Sequence, residues 1–193
     1  MQIKSTGERT KIILADALRS LMKKKTFDKI TIKEIVEECG FNRQTFYYHF
    51  QDVFALVEWM YYYDIGKISD DDLSDKKLFD TIKKLLTYIE EKREEMLCII
   101  ESDSGAFFSE FLGRGISRGF DFVADRKTHG MRISKDYRDF LSTYFTGAVL
   151  TALIDWIKKP DSSRPSAEEF TEMLMFTLTG ALDLALKNYN SEA

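Results

Sequence analysis

Apolar side chains recur every three to four residues along most of the chain, the spacing that places them on one face of a helix. Three of these apolar segments begin with Ser or Thr followed three residues later by Glu, the pattern of a helix-capping box. The spacing and the caps predict helices over residues 5–25, 32–38, 43–50, 53–65, 75–100, 107–119, 135–158 and 166–185, with capping boxes at Ser5/Glu8, Thr31/Glu34 and Ser166/Glu169 and single caps at Asn42 and Asp52.

Polar segments separate the predicted helices. The acidic stretch 69–75 is predicted to be a linker or the charged start of the next helix, and PDSSRP at 160–165 is predicted to be a loop. Residues 120–133 have a mixed, basic pattern from which no secondary-structure element is predicted. No segment alternates as a strand does, and the chain has only two prolines and ten glycines. The pattern therefore indicates an all-α fold of eight to ten helices.

Charge is divided unevenly along the chain. Residues 1–50 contain ten Lys and Arg against six Asp and Glu, a net charge of +4. Residues 51–193 contain 18 basic and 26 acidic residues, a net charge of −8. A basic segment joined to an acidic one indicates a polyanionic partner for the basic segment only, although +4 over fifty residues can also arise by chance.

The composition argues against several classes of protein. No apolar run approaches the ~20 residues that a membrane-spanning helix needs, and the first ten residues lack the apolar core of a secretory signal. The two cysteines, Cys39 and Cys98, lack the spacing of a metal site or a disulfide framework. These observations predict a cytoplasmic chain with reduced thiols, no metal, no cofactor and no membrane partner.

A helix-turn-helix pattern lies in residues 31–50, which read TIKEIVEECGFNRQTFYYHF. Gly40 lies between two short helices, and in this motif the second helix enters the major groove of DNA. At 100° per residue, Phe46 and Phe50 share one face of the second helix and Tyr48 lies opposite them. If the phenylalanines are core residues, Tyr48 is an exposed aromatic side chain without a packing role.

The side chains around this tyrosine have chemistry that suits DNA. Gln44 and Thr45 lie beside it and can contact base edges or thymine methyl groups. Tyr47 and His49 lie on its two flanks and can donate hydrogen bonds to phosphates. Arg43, in the first turn, can donate to guanine O6 and N7. The second helix is therefore predicted to read DNA.

The same segment resembles the TetR (tetracycline-repressor-like) family of bacterial transcriptional regulators over about residues 10–60. The residues that carry the resemblance are Thr31, Ile35, Gly40, Thr45, Phe46, Tyr47, Tyr48, His49, Phe50, Asp52 and Leu56. The family usually has a phosphate-contacting lysine directly after the aspartate, but here that position is Val53, for which Lys33 or Lys4 could compensate. The resemblance and the helix faces together give the predicted DNA-binding residues Thr31, Lys33, Arg43, Gln44, Thr45, Tyr47, Tyr48 and His49.

The resemblance also implies a domain organisation and a function. It implies a three-helix DNA-binding domain over residues 1–52 and a helical effector-binding and dimerisation domain over residues 53–193. The implied protein is a sequence-specific regulator that binds a pseudo-palindromic operator, as a repressor relieved by an effector. Residues 136–185, with Trp156 before a proline-containing loop, resemble the branch that includes regulators of dihydroxyacetone-kinase operons. The alternative is an activator or adaptor whose C-terminal domain binds a protein coactivator.

Two adjacent apolar stripes run along the helix predicted over 135–158. One stripe includes Tyr144 and Ala148, and the other includes Leu141 and Phe145. One stripe can serve the core of the subunit and the other a second copy, unless the helix is central in a monomer. In the family the last two long helices pair with their copies, which implies the interface residues Tyr144, Ala148, Ala152, Met173, Thr177, Ala181 and Leu184.

Family analogy places an effector pocket among the middle helices. The candidates by residue type, each of which could equally be a packing residue, are Trp59, Tyr63, Tyr88, Phe108, Phe111 and Tyr144. The effector is an unknown small molecule or, by analogy with the dihydroxyacetone-kinase regulators, a protein coactivator. The sequence contains no nucleophile elbow, phosphate loop or dinucleotide fingerprint and has only two histidines. No catalytic residue is predicted, and a helical enzyme or carrier without a DNA role is the distant alternative.

Overall fold

The computed structural model describes residues 6–66, 72–74 and 76–192, with side chains to residue 189. Within these residues the chain forms nine α-helices, a short 3₁₀-helix and no strand, which confirms the all-α prediction. The predicted cap at Ser5, the compensating Lys4 and most of the acidic stretch 69–75 lie outside the described residues. The helices are α1 (Thr6–Met22), the 3₁₀-helix (Phe27–Lys29), α2 (Ile32–Glu38), α3 (Arg43–His49), α4 (Val53–Ile65), α5 (Leu78–Glu91), α6 (Arg93–Ile100), α7 (Gly105–Lys127), α8 (Lys135–Lys158) and α9 (Ala167–Glu192).

Most helices that begin with a local cap have the predicted bounds, but α9 continues to Glu192, past the predicted end at residue 185, and Leu186 beyond that end is buried. Helices α2, α4 and α8 match the predictions from end to end, and α3 ends one residue early because Phe50 is its C-cap. Ser166 and Glu169 form the predicted capping box before α9. Helix α1 ends at Met22 rather than Lys25, since the amides of Lys24 and Lys25 both turn back to the Leu21 carbonyl.

The single helix predicted over 75–100 is wrong. The chain forms two helices, α5 and α6, which are separated at Lys92, where φ is −103° and ψ is 12°. The Lys92 amide donates to the carbonyls of Glu90 and Tyr88 and so closes α5. Apolar positions on both sides of this break keep the helical spacing, which is why the spacing alone did not reveal it.

The helix predicted over 107–119 is also wrong in its bounds. Helix α7 runs from Gly105 to Lys127 and includes most of the segment that the pattern left unassigned. Its interior glycines suggested an end at Gly119, but they lie within the helix. Gly113 lies against α8, since a Cβ added there would be in van der Waals contact with the Leu150 side chain at 3.4 Å.

The described residues belong to two compact units, residues 1–67 with 94–106 and residues 68–93 with 107–193. In the first unit α1 packs against α2, α3 and α4 around side chains with no exposed area, among them Leu18, Ile35 and Phe46. Arg19 joins residues 94–106 to this unit by pairing with Glu95 as well as with Asp64. This unit extends beyond residue 52, and the functional boundary at 52 stays a prediction.

In the second unit α5 packs against α9, and α7 packs against α8. Its core includes Leu141 and Phe145 of α8 with Leu182 and Leu186 of α9. At the other end of α8, the Trp156 ring stacks on Phe170 at 4.9 Å. The two longest helices thus contact each other through side chains at these two places.

Candidate nucleic-acid interface

A capping box fixes the start of α2. The Glu34 amide donates to the Thr31 hydroxyl at 3.3 Å, and the Glu34 carboxylate accepts from the Thr31 amide at 3.0 Å. Hydrogen bonds from the Lys25 ammonium and then from Thr31 lower the pKa of Glu34 to about 2. Glu34 therefore remains ionised at neutral pH, and the box holds α2 in place before the turn.

The turn and the recognition helix α3 follow from local chemistry. Gly40 has φ +71°, a left-handed conformation that glycine adopts at low cost. The Phe41 amide donates to the Val36 carbonyl at 2.8 Å and closes the turn. The Asn42 side chain then accepts from the Thr45 amide at 2.8 Å and caps α3. The orientation of α3 is thus set by contacts within ten residues.

The predicted faces of α3 are confirmed. Phe46 has no exposed area and Phe50 is buried, whereas Tyr48 is 84% exposed and Tyr47 is 57% exposed. Two tyrosines at the surface of a helix whose opposite side is core have aromatic area that the subunit does not bury. Arg43 and Gln44 are exposed in the first turn of the same helix.

Three of the predicted DNA-binding residues have partners within the chain. The Thr31 hydroxyl serves the capping box, and the Thr45 hydroxyl donates to the Asn42 side chain at 3.1 Å. The Lys33 ammonium lies 3.7 Å from the Glu37 carboxylate. Thr31 thus fixes the start of α2 and Thr45 helps to fix the start of α3, whereas the Lys33 ammonium lies beside a carboxylate on the exposed side of α2.

His49 is half-buried at the end of α3, with its ring edge-on to Tyr48 at 4.9 Å. Burial lowers the pKa of His49, and the nearby positive charge of Lys11 lowers it further. The imidazole is therefore neutral at pH 7 and can donate one N–H to a phosphate oxygen.

The structure disperses the six candidate effector-binding residues. Trp59 and Tyr63 stack on each other at 4.7 Å on α4 in the first unit. In the second unit, Phe108 and Phe111 are buried and stacked at 5.8 Å, so they serve as packing residues. Tyr88 lines a shallow, open depression along α5. Tyr144, the sixth candidate, lies on an exposed surface.

That surface is an apolar face shared by α8 and α9, called here the α8/α9 face. Its large exposed side chains are Phe140, Tyr144, Met173, Phe176 and Leu184. Of the smaller residues predicted for an interface, Ala148, Thr177 and Ala181 are exposed and Ala152 is half-buried. Phe176 is 87% exposed, but the sequence pattern does not single it out, because α9 has apolar residues on most of its sides.

Helix α8 is long and apolar enough to cross a membrane by length and composition alone. Only 28% of its most apolar stretch is buried within the subunit. This composition results from two stripes, the buried stripe of Leu141 and Phe145 and the exposed stripe of Phe140 and Tyr144. The exposed stripe makes α8 more apolar than a helix that contributes only one buried stripe to the core of its own subunit.

Both parts of the chain match family models. Residues 14–58 match the model described as bacterial regulatory proteins, tetR family, and residues 76–180 match the model described as transcriptional regulator C-terminal region. A curated relative, the HTH-type dhaKLM operon transcriptional activator DhaS of Lactococcus lactis subsp. lactis (strain IL1403), is 26% identical over 101 residues. The match covers 51% of this chain and 54% of the relative, about half the length of each.

Two solved structures share the fold. The dihydroxyacetone kinase operon activator DhaS has a TM-score of 0.67 at 21% identity, over 91% of this chain and 97% of its own. NalD, the secondary repressor of the MexAB-OprM multidrug efflux pump in Pseudomonas aeruginosa, has a TM-score of 0.58 at 16% identity, over 90% of this chain and 96% of its own. The shared fold therefore includes an activator and a repressor.

Proposed function

The chain belongs to the TetR family of bacterial transcriptional regulators, and from that premise we propose that it binds a pseudo-palindromic operator as a homodimer. The observation that carries the proposal is the exposure of Tyr48 opposite the fully buried Phe46. A helix anchored by one aromatic face and presenting another can lie in the major groove with Tyr48 toward the base edges. Arg43 and Gln44 supply donors for base edges, and Tyr47 and His49 supply donors for phosphates.

The α8/α9 face supports the homodimer. Its five large apolar side chains are exposed in the subunit, and an exposed cluster of this kind marks an interaction surface. Gly147 and Gly180 have open space at the position of a Cβ, which would let helices of a second copy approach closely. Two copies joined through this face would present two α3 helices to successive half-sites.

We propose that the regulator acts as a repressor relieved by an effector. The similarity of the chain to the activator DhaS, over about half of the sequence and over 91% of the fold, favours a second candidate, an activator or adaptor that responds to a protein coactivator. Both candidates act on DNA in the cytoplasm and need no catalytic residue. They differ in whether loss of the regulator raises or lowers transcription from the bound promoter.

Selection from a random-sequence duplex library is expected to recover a pseudo-palindromic site. The centres of its half-sites should lie ~34–36 Å apart, one DNA turn, or a multiple of that distance. Recovery of no enriched sequence by the folded dimer would contradict specific recognition. Deletion of the gene, with transcription measured from the promoter that carries the site, then distinguishes repressor from activator.

Operator DNA is expected to weaken the binding of an inducer by the factor by which the inducer weakens DNA binding. The reason is linkage, since one coupling free energy governs both affinities, and a hundredfold effect corresponds to ~2.7 kcal/mol. Calorimetric titration of the inducer into free and DNA-bound protein measures this factor. Equal affinities in the two titrations would exclude coupling between the inducer and DNA. A coactivator protein would instead bind more tightly to the DNA-bound regulator, so the coupling free energy would have the opposite sign.

A further inference from the structure

Ion pairs within the first unit neutralise much of its positive charge. The Lys24 ammonium lies 2.8 Å from a Glu38 carboxylate oxygen, and Lys25 pairs with Glu34. Arg19 pairs with Asp64 and Glu95, as described above. The number of Lys and Arg residues in the sequence therefore overstates the number of cations in this unit that have no carboxylate beside them.

Lys11 on α1 is different. Among the described residues, no carboxylate oxygen lies within 4.0 Å of its ammonium. Its ammonium instead lies 5.5 Å from the centroid of the Phe50 ring and 5.7 Å from that of Trp59. A cation over two aromatic faces is attracted by both, and its charge is not cancelled there as it is by a carboxylate.

The two rings under this ammonium are held in place. Phe50 is 5% exposed and is the C-cap residue of α3. Its ring lies 5.8 Å from that of Trp59, which in turn stacks on Tyr63. Because the rings are packed, they fix the ammonium at the C-terminal end of the recognition helix before any ligand arrives.

His49 adjoins the same ring. Its imidazole centroid lies 6.4 Å from that of Phe50, and it is the neighbour of Tyr48 in the chain. The ammonium of Lys11 lies 5.5 Å from the centroid of that same Phe50 ring, and its positive charge lowers the pKa of His49. A neutral N–H donor and an unpaired cation thus both adjoin the ring that ends the recognition helix.

We propose that Lys11 and His49 together bind a backbone phosphate of operator DNA on this flank of α3. The proposal rests on the proposed function, because it requires α3 to lie in the groove. A phosphate carries a negative charge and accepts hydrogen bonds, which the ammonium and the imidazole N–H both satisfy. Lys11 thereby supplies a positive charge in place of the phosphate-contacting lysine that the family usually has at the position of Val53. Lys33, the other candidate, already lies beside the Glu37 carboxylate.

The test measures the affinity for a labelled duplex carrying the selected site at several salt concentrations. A phosphate contact contributes about 0.9 to the slope of log affinity against log salt. Lys11→Gln and Lys11→Met are each expected to lower the slope by about 0.9 per half-site. If the variant and the wild type have equal DNA affinity at 1 M salt, this difference in slope means that the variant binds DNA about eightfold more weakly per half-site at 0.1 M salt.

Two variants control for charge and for packing. Lys24→Gln removes one positive charge near the end of the same helix, but that ammonium is paired with Glu38, so the slope should not change. Lys11→Arg keeps a cation over the rings and should keep the slope. Lys11→Met keeps the apolar stem, and thermal melting of the free protein shows whether the aromatic cluster is intact.

The outcomes separate this contact from the proposed function. An unchanged slope in both Lys11→Gln and Lys11→Met, with wild-type protein binding the duplex, overturns the Lys11 contact and leaves DNA binding standing. Two other results would show that Lys11 only positions the rings, and each would also overturn the contact. One is weaker DNA binding by the Lys11 variants with an unchanged slope, and the other is a loss of slope in Lys11→Arg equal to that in Lys11→Gln. Failure of wild-type protein to bind any duplex overturns both proposals.

Discussion

Replacement of Tyr48 by alanine is expected to weaken binding to the selected operator by ~1–3 kcal/mol in each half-site while leaving the fold intact. Tyr48 is 84% exposed, so its loss removes little packing from the subunit. In the groove the same ring would contact base edges, and both half-sites of a dimer would lose that contact. Fluorescence anisotropy at fixed salt measures the affinity, and circular dichroism measures the melting temperature.

Two further variants make the result specific. Tyr62→Ala removes a 43% exposed tyrosine from α4, outside the predicted interface, and should leave operator affinity unchanged. Tyr48→Phe keeps the ring and removes the hydroxyl, which separates aromatic contact from hydrogen bonding. Equal affinities of wild type and Tyr48→Ala, with equal melting temperatures, would show that α3 does not read DNA through this face.

The recognition helix could be predicted because the interactions that define it are local. Thr31 with Glu34, and Asn42 with Thr45, are three residues apart, and Phe46 and Phe50 are four apart. Their geometry depends on helical spacing and capping, which the sequence displays directly. The face that carries Tyr48 follows from the same spacing.

The division of α5 from α6 could not be predicted in this way. Leu86 and Ile89 are buried in α5, and Met96 and Ile99 are buried in α6, at positions that also fit one continuous helix. Directly after the break, Arg93 donates hydrogen bonds to the carbonyls of Ile157 and Lys159, which are more than sixty residues away in the sequence and which no local pattern indicates. Helix α7 likewise continues to Lys127, past the end that the pattern predicts at Gly119, and Phe120 just beyond that glycine stacks on Phe145 of α8 at 5.1 Å.

Lys11 was missed because its partners are distant in the chain. The lysine is on α1, and the aromatic rings beneath its ammonium are those of Phe50 and Trp59, 39 and 48 residues later in the sequence. Its position on a basic, amphipathic helix gives no sign of that contact. Only the assembled unit separates this unpaired lysine from those, such as Lys24, that are ion-paired.

Placing a carboxylate on the α8/α9 face is expected to give the largest loss of function. Phe176→Glu should convert the dimer, at twice the 22.5 kDa of the chain, into a monomer. Phe176 is 87% exposed in the subunit, so the variant should fold. In the dimer the charge would be buried without a partner, which strongly disfavours association.

A monomer can engage only one half-site at a time. Joining two binding modules raises the overall affinity by about 10²–10⁴-fold when both sites are reached together, so Phe176→Glu should lose about that factor on the full operator. Analytical ultracentrifugation measures the mass, and anisotropy with full and half operators measures the affinity. The half operator should bind wild type and the variant alike, because α3 is unchanged.

Phe176→Leu is the matched control, since it keeps an apolar side chain on the α8/α9 face and should retain both the dimer mass and the full-operator affinity. A second disruption from α8, Tyr144→Glu, should reproduce the effect of Phe176→Glu if the two helices contribute to one interface, because both side chains are exposed in the subunit. A Phe176→Glu protein that remains a dimer at micromolar concentration would place the interface elsewhere. A monomeric variant that binds the full operator with wild-type affinity would instead show that dimerisation does not provide the affinity, since a single α3 helix would then suffice.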